Sequence, residues 1–123
     1  MLYGNEALDD LGILDGINEV IATTEADGRI NAAPIGIIRT EDRLYVRLFL
    51  GTHTYENVLA NGWLVANITH DAWIFAETAL EDLSSKYFCR REELPVLNLS
   101  KLTNSSSHMA LILTEIQSMR KKL

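Results

Sequence analysis

Arg43-Leu-Tyr-Val-Arg-Leu-Phe-Leu-Gly-Thr-His-Thr-Tyr-Glu-Asn57 decides the reading of this chain. Its first half alternates strictly. Leu44, Val46, Leu48 and Leu50 fall on one face, and Arg43, Tyr45, Arg47 and Phe49 on the other, which is the period-two signature of a half-buried strand. Its second half is a glycine followed by two threonines and a polar, helix-competent run. Thr52 or Thr54 can cap a short helix over 55–60, and Asn61-Gly62 ends it. A strand that runs through a hydroxyl-rich turn into a helix start aims several backbone N–H groups one way.

Working outward, residues 17–24 are rich in β-branched types and read as a strand. Asp27-Gly28 is a tight-turn pair, and 29–40 forms a second strand in hairpin with the first. With 43–50 this gives a three-stranded antiparallel meander. Residues 63–69 form a fourth strand. Asp71 caps a helix over 72–83, in which Phe75, Ala79 and Leu83 repeat every fourth residue. Leu94-Pro-Val-Leu97 is a short apolar anchor, and 98–108 is a loop by composition. Residues 109–119 carry both a strand and a helix pattern. Strand is favoured, because the meander has an edge to cover.

The chain has 123 residues, one domain's worth, with 47% hydrophobic and 23% charged residues. Its net charge of −6 disfavours nucleic acid and anionic membrane surfaces as partners. The lone Cys89 makes no internal disulfide; it is a cysteine without a role or, beside Arg90 and Arg91, a reactive thiol. No signal peptide or membrane-length apolar run is visible, so the expected location is the cytoplasm. His53, His70 and Asp71 match no zinc spacing, and no metal site is expected. No nucleophile–base constellation and no dinucleotide fingerprint is present.

The turn at 51–54 has the chemistry of a phosphate site. Gly51 lets backbone approach a ligand, Thr52 and Thr54 add hydroxyls, and the helix start adds partial positive charge. Arg47 supplies formal charge and a bidentate fork, and Asn57 an amide. The alternative is a helix cap with Arg47 in a surface ion pair. A second feature is Asn31-Ala-Ala-Pro-Ile-Gly36. Pro34 places this strand at an edge or bulge, and the small side chains keep it low enough for a planar heterocycle to meet its backbone. Here the alternative is a blunted edge strand. Tyr55 borders the ligand or makes a core or dimer contact, Glu19 is either a polar group near the ligand or an exposed one, and His108 is expected in solvent.

Asp27-Gly-Arg-Ile-Asn-Ala-Ala-Pro34, Thr52-His-Thr-Tyr-Glu-Asn-Val58 and Gly62-Trp-Leu-Val-Ala-Asn67 together resemble the FMN-binding split-barrel proteins. These are the flavin reductases and pyridoxamine-phosphate-oxidase-like proteins. The chain is most similar to their mostly archaeal, uncharacterised branch, over residues 12 to about 88. The resemblance implies a mainly β fold, a six-stranded antiparallel split β-barrel with short helices. It implies a homodimer with FMN at the interface. It assigns the phosphate to Arg47, Thr52, Thr54 and Asn57, and the isoalloxazine to the backbone of Asn31, Ala32, Ala33 and Pro34. Thr23 and Thr24 are set toward the ribityl chain or ring. Two departures follow: His53 stands where many relatives carry a basic residue, and the sequence after about Phe88 matches poorly, as in a shortened domain. The functions implied are a flavin-dependent oxidoreductase of unknown substrate, a flavin-storing protein without turnover, or a cofactor-free dimeric interaction domain.

Overall fold

A computed structural model describes residues 5–41, 43–69, 72–80, 87–97 and 107–113. It opens with α1 (Asn5–Leu11), which the sequence reading did not anticipate, and then β1 (Gly16–Ala26) and β2 (Arg29–Arg39). These two strands pair antiparallel along their whole length, from Gly16↔Arg39 to Ala26↔Arg29. Asp27 and Gly28 join them with φ of 52° and 75°, the doubly left-handed geometry of a type I′ hairpin turn. There follow β3 (Leu44–Val46), α2 (His53–Asn61), β4 (Trp63–Ile68), α3 (Ala72–Leu80), β5 (Phe88–Arg91), β6 (Leu94–Leu97) and β7 (Ser107–Ile112).

The architecture is mainly β with short helices. A five-stranded antiparallel sheet runs β3-β2-β1-β4-β7, and β5-β6 is a separate hairpin. This differs from the expected six-stranded barrel: the described strands form a curled half-barrel and an added hairpin. The curl is visible in the packing. Leu44 and Val46 from one edge strand and Met109 and Leu111 from the other pack on the same cluster of Val20, Ala22, Ile37, Leu64 and Ala66. A flat sheet would hold edges four strand spacings apart, about 19 Å.

Alternation gives the sheet two covered faces. Val20, Ala22, Ile37, Leu64, Ala66 and Ile68 point to one, closed by Ile13 and by Val58 of α2. Ile21 and Ala32 point to the other, beneath Ile74 of α3 and Leu97 of β6. Arg39 is only 6% exposed and donates to Asp9 Oδ1 of α1 at 2.7 Å and to the Ile13 carbonyl at 2.5 Å, which ties α1 to the second strand.

Two expectations need correction. The strand over 43–50 pairs only from Leu44 to Val46, although its alternation persists: Leu48 still packs on the core, and Arg47 and Phe49 are exposed. Burial needs only the right side of the chain to face the core, whereas pairing needs a partner backbone. Leu50 shares the face of Leu44, Val46 and Leu48 in the alternation, but it is 79% exposed, because the chain is already turning there and the Thr52 N–H donates to the Phe49 carbonyl at 3.4 Å. The C-terminal ambiguity resolves as strand over Ser107–Ile112; 114–123 lie outside the described residues, as do Asp71, His70 and Leu83.

Candidate functional site

The turn into α2 is built by its own threonine. Thr52 sits at the N-cap with extended backbone, accepts from the Tyr55 N–H at 3.2 Å, and donates its hydroxyl to the Phe49 carbonyl at 2.8 Å. The Glu56 N–H is bonded to the Thr52 carbonyl at 3.1 Å. Among the described residues, the N–H groups of His53 and Thr54 meet no acceptor, and both belong to the start of the helix. Gly51 has φ of 82°, and a Cβ there would meet nothing within 4 Å. Glycine is therefore required by the turn's backbone conformation and not by crowding. Arg47 is exposed, on the side of its segment that faces away from the core.

Thr54 and Asn57 are oriented otherwise than the phosphate assignment expects. Thr54 is 3% exposed and its hydroxyl accepts from Asn31 Nδ2 at 2.9 Å. Asn57 Nδ2 donates to Thr24 Oγ1 at 3.1 Å. Asn61 Nδ2, one turn on, donates to the Glu25 carbonyl. The three bonds fasten α2 along the turn end of the β1–β2 hairpin, where Thr24 and Asn31 are cross-strand partners. The helix start is thereby held in place, while the side chains that hold it are turned inward.

Thr23 is set apart from this cluster. It is adjacent to Thr24, so it points to the opposite face, where its hydroxyl donates to the Pro95 carbonyl at 2.7 Å and the residue is wholly buried. Ala32 is on that same face, 6% exposed, in the cluster beneath α3. Ala33 is half-buried, Pro34 is exposed, and both lie where β2 has no strand on its outer side, because β3 pairs only with Ile37, Ile38 and Arg39. Among the described residues, the backbone edge from Asn31 to Gly36 therefore has no strand paired on its outer side.

Residues 18–122 match the family described as the N-terminal domain of a protein of unknown function, DUF447. The chain belongs to that family. The family shown is DUF447, and not specifically the flavin reductases or pyridoxamine-phosphate-oxidase-like proteins that the sequence resembles. One solved relative is the FMN-bound protein MM1853 from Methanosarcina mazei, 40% identical, with a TM-score of 0.65 over 73% of this chain and 50% of that one. A second relative, the uncharacterized protein MJ1453 of Methanocaldococcus jannaschii, is 38% identical over 66 residues, 54% of this chain and 34% of the relative. The chain thus spans half or less of the length of these two relatives.

One polar cluster escaped the sequence reading. Asn67 is fully buried on β4. Its Nδ2 donates to the Ile21 carbonyl at 2.8 Å and to Thr23 Oγ1 at 3.1 Å. Its Oδ1 accepts from the Leu97 N–H at 2.9 Å and lies 2.8 Å from His108 Nδ1. His108, expected in solvent, is half-buried on β7, and burial, helped by the positive charge of Arg91, pushes its pKa below the usual histidine value. The only available signal was an asparagine in an otherwise apolar strand, a place where a polar side chain must find partners. Arg90 forms a two-pronged bridge with Glu25, its Nη1 at 3.1 Å from Oε1, and the bond to Glu25 raises its pKa. The described residues hold no cluster of metal-ligating side chains, and no described helix is long and apolar enough to cross a membrane.

Proposed function

We propose that this chain binds FMN and acts with it in oxidation–reduction. One observation carries the reading: over 73% of its length the chain aligns, at 40% identity and a TM-score of 0.65, with a DUF447 protein crystallised with FMN bound. The geometry fits that group. The open N–H groups at the start of α2 suit a phosphate, with Arg47 as the nearby exposed cation of the turn. Gly51 shapes the turn, and Thr52 presents the helix end as its cap. Thr54 and Asn57 act as positioning residues, with Asn31 and Thr24 as their partners.

The unpaired edge of β2 from Asn31 through Ala33 to Pro34 suits the hydrogen-bonding rim of the isoalloxazine, met by backbone groups. FMN, when bound, supplies the redox chemistry, and the protein's part is to bind and orient it. In this reading the protein works as a cytoplasmic homodimer. The exposed Ile17, Tyr45 and Phe49 give it apolar surface for a second copy.

Titration with FMN, followed by visible absorption and by mass in solution, tests the proposal. The expected result is a yellow protein that saturates with FMN and has the mass of a dimer. A colourless protein that ignores FMN overturns it, in favour of an interaction domain without cofactor. Anaerobic bleaching of the bound flavin by a reduced nicotinamide supports turnover; flavin that binds but resists every reductant supports storage.

A further inference from the structure

Resting on the reading that this chain binds FMN, we infer that two main-chain groups of β2 read the ring. The Pro34 carbonyl accepts from the ring's N3–H, and the Gly36 N–H donates to a ring carbonyl beside it. The site thereby selects a heterocycle that carries an N–H next to a C=O.

The register decides which groups of β2 are free. In an antiparallel pair the opposed residues alternate: one pair exchanges both ladder bonds, and the next turns its N–H and C=O groups away. The two-residue turn at Asp27 and Gly28 closes on Ala26↔Arg29, a bonded pair. Counting by twos, Asn31, Ala33, Ile35 and Ile37 spend their main-chain groups on β1, and Ala32, Pro34 and Gly36 turn theirs to the outer edge. Three observations agree with that count. Pro34, which has no N–H, falls at an outward position. The carbonyl of Ile21, opposite Pro34, faces away from β2 and accepts from Asn67 of β4 at 2.8 Å. The Ile37 carbonyl faces β1, where Asn18 Nδ2 donates to it at 3.3 Å.

The outer edge is bridged at two points. Ile37 pairs with Val46 of β3, and Asn31 Nδ2 bonds Thr54 at the start of α2. Between them, among the described residues, the outward groups of Ala32, Pro34 and Gly36 meet no partner. Ala32 is covered beneath α3, but Pro34 is exposed and Gly36 half-buried. What a ligand can reach is a carbonyl at 34, and an N–H with a carbonyl at 36. An acceptor and a donor two residues apart on one edge match a donor and an acceptor side by side on a planar ring. Pro34 sharpens the match, because any other residue there adds a second N–H to the edge. Asn31 and Ala33 shape this side of the site without lending it main-chain groups. The Asn31–Thr54 bond sets the edge beside the start of α2, where the phosphate is placed.

The test compares FMN with 3-methyl-FMN, which keeps the phosphate and lacks the N3–H. The unmodified protein should bind the methylated flavin about tenfold more weakly, the worth of one unmade hydrogen bond. A Cβ at Gly36 would stand 3.4 Å from Ile17 Cγ2, on the sheet face, so Gly36→Ala leaves the edge N–H in place and should keep that ratio. Gly36→Pro removes the N–H without costing the β1–β2 ladder a bond, and should bind FMN about tenfold more weakly than Gly36→Ala does. Amide hydrogen exchange on the unmodified protein decides the matter even if Gly36→Pro fails to fold. The Gly36 amide should exchange freely without FMN and be protected with it, while the Ala33 and Ile35 amides are protected in both states. Equal affinity for the two flavins, or a Gly36 amide indifferent to FMN, overturns the assignment and leaves FMN binding standing. A protein that binds neither flavin overturns the FMN reading, and the assignment with it.

Discussion

Thr23 and Thr24 are neighbours, both fully buried, and they serve opposite halves of the molecule. Thr24 accepts from Asn57 beneath α2, where the helix start stays open to solvent. Thr23 donates to Pro95 and accepts from Asn67 beneath the β5–β6 hairpin, where the Thr23 hydroxyl and the Asn67 amide are both consumed. The first cluster holds a helix whose N-terminal end lies outside it. The second closes on itself. A polar cluster that leaves donors at its rim is suited to a ligand; one that satisfies every member is suited to specifying the fold.

The sharpest way to break this contrast is Asn67→Leu. It leaves the Leu97 N–H without its acceptor and removes the orienting partner of His108. We expect a loss of about 3 kcal/mol of stability, read by urea unfolding, with FMN affinity per folded molecule unchanged. A large loss of FMN affinity would mean that the two clusters are not separate. Arg47→Ala should do the reverse. Stability stays level, and FMN binding weakens by about 1.5–3 kcal/mol, the worth of a hydrogen bond to a charged group. Riboflavin, which lacks the phosphate, should bind the variant as it binds the unmodified protein. Equal losses for both ligands would remove Arg47 from the phosphate.

Asn57→Ala and Thr54→Val test the fasteners. Each should cost about 1 kcal/mol of stability and weaken FMN less than Arg47→Ala does, since it loosens the helix start without removing a contact. Thr54→Ser should restore both properties. The smallest effect is expected from Arg90→Gln, because the bridge to Glu25 is solvent-exposed and screened. Its signature is a slight destabilisation that vanishes at high salt, and a salt-independent loss would show that the bridge is more than surface decoration.

Much of the fold was legible. The Asp27-Gly28 hairpin, the strand at 63–68, and the helix between Thr52 and Gly62 all announce themselves through local chemistry, since turn, cap and alternation act over a few residues. The turn at 51–54 was legible as a helix start, and the orientation of its side chains was not. Thr54 and Asn57 have the composition of ligands, yet the same hydroxyl and amide serve equally well as fasteners, and only the packing of α2 on the hairpin chooses. Asn67 was not legible, because its partners come from 30 to 46 residues away.

The sequence by itself determined where the chain turns, which side chains alternate, and that a glycine-threonine turn opens a helix, because each depends on neighbours within one or two turns of backbone. The tertiary structure alone decided how far β3 stays paired, which threonine of an adjacent pair meets α2 and which meets the hairpin, and that His108 is held by Asn67. Those outcomes depend on which strand or helix lies on each face of the sheet, and such contacts form only when distant segments are brought together and water is excluded between them.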